Sequence, residues 1–288
     1  MRLMNFIFNI LSLSFLSISV HFIGYYIVNK SDDGLIINLT IFTVLGITSI
    51  IISLSLINKY VYTSKLPSLN STQFKLDASR VFFWIFLSLA FCFIAFVSTF
   101  LFIGKNIYIT QTPFLYSLYF SFISALFPGV VEEICYRWFL YGRLKKTTNK
   151  FLAATVVGII FSLLHFNQVN TFESKVLLLY AGISVTYLFC ALYESTGSIW
   201  PCAILHTAWD MFSINTLVHV QFASKLEPVK AYQLIVITLQ DSNILMSGGD
   251  FGFESNISSI TLYLLAAISL IMYQRSSISK QRNIPQTE

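Results

Sequence analysis

Apolar positions in this chain run in long blocks instead of alternating with polar ones. Charge-poor stretches fall near residues 4–28, 35–57, 81–104, 113–142, 151–170, 176–193, 198–219 and 258–274, comparable with the about 20 helical residues that cross a hydrocarbon core. The alternation that marks barrel strands is absent from the sequence. Every backbone group inside lipid must be satisfied internally, so helices are the spanning structure that remains. The pattern predicts an all-α polytopic membrane helix bundle of about eight transmembrane helices, folded as a single integral membrane domain over residues 1–288. Between the blocks, 58–80 reads as a polar linker. Residues 220–257 form a longer segment whose apolar piece AYQLIVITL is too short to span and is expected at the interface.

Composition agrees with that solvent. Hydrophobic residues make up 56% of the 288 and charged residues only 11%, outside the range of ordinary soluble domains. The first block follows a single early Arg2, but its apolar run exceeds a signal-peptide core and no small-x-small cleavage site follows before Asn29, so it is expected to stay as an anchor. Lysine and arginine then set the orientation. With the N-terminus cytoplasmic, twelve basic residues lie inside, among them Lys59, Lys65, Arg143, Lys145, Lys150 and Arg275, against five outside: Lys30, Lys105, Lys175, Lys225 and Lys230. Both termini are therefore expected in the cytoplasm, in a bacterial inner or plasma membrane. The net charge of +5 follows from this topology and gives no reason to invoke nucleic acid. Cys92, Cys135, Cys190 and Cys202 all fall within expected spans and read as small buried hydrophobes instead of disulfide partners.

The informative residues are those that should not be in lipid. Each ionisable group at the bilayer centre costs about 2.5–3.5 kcal/mol on insertion scales. Yet the stretch GVVEEICYRWFL puts Glu132, Glu133 and Arg137 inside one span. Glu133 and Arg137 stand at i and i+4, on one helix face, and Glu132 lies about 100° around the helix. Pro128 and Gly129 just upstream are placed to kink or open it. Two other spans repeat the spacing: Phe161 and His165 in GIIFSLLHFN, His206 and Asp210 in AILHTAWDMF. Counting about 1.5 Å per residue from the inside loops, these groups reach overlapping depths and could meet in one intramembrane chamber. Two carboxylates with two imidazoles are the components of general acid-base or metal-assisted attack by water. His21 alone in its span reads as an interhelical hydrogen-bonding group, and His219 as a loop residue.

These three stretches match a known pattern. EEICYR fits EExxxR, FSLLH fits FxxxH and HTAWD fits HxxxN/D, in the order and rough spacing of the CPBP family, the CAAX proteases and bacteriocin-processing enzymes also called Abi. The resemblance covers a catalytic core of about residues 113–215. It implies an intramembrane endopeptidase in which Glu132 activates water as general base and His165 helps to position it. His206 and Asp210 would stabilise the oxyanion or help hold a metal; Glu133 and Arg137 would shape the site, with Arg137 and Phe161 contacting substrate. The family is labelled metalloprotease, and Glu132, His165 and His206 could ligate Zn2+ with an open position, although they come from three helices. A glutamate-activated water, with zinc as an optional assistant, is the expected chemistry.

The implied partners are the lipid bilayer and a membrane-embedded or amphipathic peptide or protein. Bacterial peptide maturation or bacteriocin immunity fits better than prenyl-CAAX processing, because the Phe-, Ile-, Asn- and Lys-rich usage suggests a low-GC bacterium. No HExxH motif and no GxSG occurs, and the GGD at 248–250 falls in an expected loop. An ion-coupled transporter, or a non-catalytic immunity or scaffold protein, could employ the same buried charges. A transporter should show symmetry between its halves, whereas here the intramembrane charges concentrate in spans four to seven.

Overall fold

A computed structural model describes residues 40, 43–48, 73, 75–213, 217–223, 226, 228–230, 232–240 and 243–282. The expected span at 4–28, with His21, and most of that at 35–57 lie outside the described residues. Among the described residues, five helices are long and apolar enough to cross a membrane: Ala78–Ile103, Phe114–Leu144, Lys150–Gln168, Phe172–Thr196 and Gly249–Ser276. The chain is a multi-pass helical membrane protein.

Helix α1, Val81–Ile103, turns Phe82, Phe86, Phe93 and Leu101 outward, as a lipid-facing helix must. It leads into strand β1, Gly104–Ile109. Helix α2 starts at Phe114 and runs to Glu132, then widens into a π-helical segment, Glu133–Tyr141, before closing at Leu144. Asn149 caps α3, Lys150–Leu164, by accepting from Leu152 N at 2.8 Å. Thr171 caps α4, Phe172–Thr196, in the same way. Such caps satisfy donors that the first helical turn leaves unpaired.

Helix α5 departs from the expected span at 198–219. It covers only Trp200–Ser213, about 21 Å at 1.5 Å per residue, short of the about 30 Å hydrocarbon core. Most of its residues are buried, from Pro201 through Met211 apart from Ile204. α5 is an interior helix enclosed by its neighbours and packs chiefly on α2 and α1. Its polar side chains therefore face protein, not lipid.

Beyond α5 the chain forms β2, Val218–Phe222, and β3, Ile235–Leu239. With β1 they make a three-stranded sheet in the order β1-β3-β2, β1–β3 antiparallel and β3–β2 parallel. The apolar piece expected at the interface is thus largely strand β3, its β-branched IVIT run suited to a pleated surface. His219, read as a loop residue, lies in β2 with 3% exposure and its Nδ1 3.2 Å from Gln233 Nε2. The sheet rests on the helices through Ile103 of α1, Ala125 of α2 and Met211 of α5, which cluster with Val218 and Ile237. A segment of 3-10 turns, Gly249–Ser255, precedes α6, Ile257–Arg282, which packs along α4. All four cysteines are buried and free, as expected.

Candidate active site

The site is built where α2 meets α5. Gly129 makes the approach possible: a Cβ there would stand 2.8 Å from the backbone nitrogen of Thr207 and closer still to its hydroxyl. Any side chain would push the helices apart. One residue from Thr207, His206 reaches across this contact. Its Nδ1–H donates to Glu133 Oε1 at 2.8 Å, and Arg137 Nη1 lies 3.0 Å from the same oxygen. Glu133 and Arg137 are both fully buried. The guanidinium carbon also sits 4.5 Å from the Phe189 ring centroid, an arrangement that favours a cation over an aromatic face.

Glu133 is thus committed to two partners, and its neighbour is not. Glu132 Oε2 lies 3.8 Å from His206 Nε2, too long for a hydrogen bond but within ion-pair range, and its side chain retains 17% exposure. Asp210 Oδ1 lies 3.6 Å from the same Nε2. The His206 ring therefore has one nitrogen fixed by Glu133 and the other facing two carboxylates. Fixing Nδ1 as donor decides what the opposite nitrogen can present. The wide turns of the π segment begin at Glu133, so the pair EE straddles the change from α to π geometry. π segments of this kind recur at functional sites.

His165 is set apart. α3 ends at Leu164, and His165 occupies the turn after it, with Nδ1 2.8 Å from the Phe161 carbonyl oxygen. A carbonyl can only accept, so Nδ1 carries the proton and Nε2 of the neutral ring keeps its lone pair. The imidazole lies against Phe161, ring centroids 4.5 Å apart. Phe161 in turn meets Tyr136 edge-on at 5.4 Å, joining the FxxxH helix to α2. The structure thus gathers Glu132, Glu133, Arg137, His206 and Asp210 into one cluster. Among the described residues, no hydrogen bond or ion pair joins His165 to it.

Among the described residues no group of three or more His, Cys, Asp or Glu side chains is disposed to hold a metal ion. Glu132, His165 and His206 do not converge as a ligand set in this geometry.

Sequence reasoning missed one group. Glu254 Oε2 accepts from the indole Nε1–H of Trp209 at 3.1 Å, and Trp209 stands on α5 between His206 and Asp210. The signal was faint: GGDFGFES places two acids, Asp250 and Glu254, at i and i+4 beside two phenylalanines, just before the last apolar block.

Comparison with known proteins finds similarity in one segment of the chain. Residues 113–212 match the Rce1-like family, described as type II CAAX prenyl endopeptidase Rce1-like. A protein of Bacillus subtilis (strain 168) named "Putative membrane peptidase YdiL" is 32% identical over 110 residues. The alignment covers 38% of this chain and 38% of that relative. Glu254 lies outside the matched segment.

Proposed function

We propose that the chain is an intramembrane endopeptidase in which Glu132 is the general base. The observation that carries this reading is the division of labour between two adjacent glutamates. Glu133 is spent on Arg137 and His206, whereas Glu132 stays partly exposed beside His206 with no hydrogen bond of its own in the cluster. A carboxylate in that position can take a proton from water as the oxygen attacks the scissile carbonyl. The developing oxyanion would meet Nε2–H of a His206 imidazolium, whose charge Glu133 and Asp210 balance. Collapse breaks the C–N bond, and the proton held on Glu132 passes to the departing amine. His165, with its Nε2 lone pair, would orient the attacking water.

The substrate class we propose is a membrane-embedded or amphipathic peptide or protein, since the groups lie among helices that cross the bilayer. Bacterial peptide maturation or bacteriocin immunity is preferred to prenyl-CAAX processing, in a plasma membrane with both termini in the cytoplasm. Zn2+ enters as a variable to be tested, with Glu132, His165 and His206 as the side chains that would have to move together.

The test is cleavage of a panel of membrane-embedded peptides by purified, detergent-solubilised protein, comparing wild type with Glu132→Ala and His165→Ala, each with and without chelator. Activity lost in both variants supports the reading, and chelator sensitivity would assign a metal. Equal cleavage by all three proteins would refute it.

A further inference from the structure

The segment between β3 and α6 lies beyond the family match, yet it is tied into the site at several points. Asp250 Oδ2 accepts from the backbone nitrogens of Asn170 and Thr171 at 2.8 and 3.0 Å, clasping the turn that follows His165. The Phe251 ring meets the His165 ring edge-on, centroids 6.0 Å apart. Phe253 stacks on Trp209 at 5.1 Å. Gly252, at φ 80° and ψ −156°, occupies backbone space essentially restricted to glycine; this reversal lets Phe251 and Glu254 serve different walls of one site. The segment is also fastened from behind: Ser259 Oγ donates to the Phe253 carbonyl at 2.8 Å, and Ser255 Oγ to that of Gly248 at 2.6 Å.

Trp209 can only donate through its indole nitrogen, and a carboxylate acceptor makes that bond charge-assisted and stronger than a neutral one. The indole belongs to the same helical turn as His206 and Asp210. Glu254 is moreover within electrostatic reach of Asp210, His206 and His165. It stands outside the recognised motifs, in a segment that touches both histidine-bearing walls, through Trp209 on one and Phe251 on the other.

We propose that Glu254 is a positioning residue of this site: through its hydrogen bond to Trp209 it fixes the α5 turn that presents His206 and Asp210 to Glu132. The catalytic consequence rests on the endopeptidase reading, but the positional claim does not. Full-length protein in detergent micelles, labelled with 15N at its four tryptophans and four histidines, separates the two. Trp209→Phe and His206→Gln assign the two signals. In Glu254→Leu the Trp209 indole signal should move upfield and the His206 signal should shift, while that of Trp84 stays in place; Glu254→Gln, which keeps an acceptor oxygen, should restore both.

In the cleavage assay Glu254→Leu should lower kcat about tenfold to a hundredfold, the scale of a small misplacement of reacting groups, with KM little changed. Trp209→Phe should match that loss, and the double variant should lose no more than either single one. A His206 signal unmoved in Glu254→Leu would overturn the proposal, as would losses that multiply in the double variant. If Glu254→Leu does not fold, Trp209→Phe breaks the same bond from the other side, and an unmoved His206 signal there is equally decisive. Wild-type protein that cleaves nothing would defeat the endopeptidase reading and leave the resonance result to judge the positional claim.

Discussion

Among the described residues, two of the charge clusters join helices of this bundle under different rules. One joins Lys145, after α2, and Lys150, at the start of α3, to Glu194 of α4; the Lys150 side chain is 63% exposed. The other joins Glu133, Arg137, His206 and Asp210 between α2 and α5, with side-chain exposures of 10% or less. At the first, water and headgroups can replace a lost partner. At the second nothing can, and a deleted partner strands a charge in a low-dielectric interior. Only the second kind holds a geometry tightly enough to leave one carboxylate, Glu132, available for chemistry.

Five substitutions test that contrast. Glu132→Gln has the largest expected effect: kcat should fall about a hundredfold to ten-thousandfold, the range attributed to a general base, while the thermal unfolding curve of the purified protein overlays that of wild type. An unfolding curve shifted as far as that of a Glu133 variant would show that Glu132 is structural as well. Glu133→Leu and Arg137→Leu should each destabilise by about 3–5 kcal/mol, the penalty for breaking a buried pair from one side. The double variant should cost less than the sum, which denaturant titration of the four proteins would measure.

Gly129→Leu comes next, at roughly 1–3 kcal/mol for overpacking a close contact. Its activity loss should exceed its stability loss, because it moves His206 away from Glu133; equal losses would place the helix contact outside the chemistry. Glu194→Gln is smallest, below about 1 kcal/mol and largest at low salt, with kcat and KM unchanged. A kinetic defect in Glu194→Gln would erase the distinction between the two clusters.

The buried cluster was legible in the sequence because lipid makes charge conspicuous. Glu132, Glu133, Arg137, His206 and Asp210 stand out against apolar neighbours, and i, i+4 spacing assigns them to shared faces whatever the tertiary structure. His165 is the exception: its depth suggests a common chamber, but spacing does not say that α3 ends one residue earlier or that the Phe161 carbonyl takes the ring. The sheet was hidden for a related reason. β1, β2 and β3 are five or six residues each, and IVITL has no alternation because β3 lies between two partners and is mostly buried. The shortness of α5 followed from the same sheet, which begins where a full span would have continued. Glu254 escaped notice because its role depends on Gly252 and on a fold-back that no periodicity encodes.

The π segment also acts as a phase shifter. Each of its turns takes in about one residue more than an α turn, so the chain on its Glu132 side and the chain at Arg143 are held at a relative angle that a regular helix of equal length would not give. Deleting a single residue between Glu133 and Tyr141 would leave the hydropathy profile almost unaltered. It would also rotate one half against the other by about 80°, one residue's share of the wider turn. Insertion into the membrane reads only the profile, whereas the meeting of Glu133 with His206 reads the angle. The same stretch therefore carries two messages, one tolerant of insertions and deletions and one that a single residue can scramble.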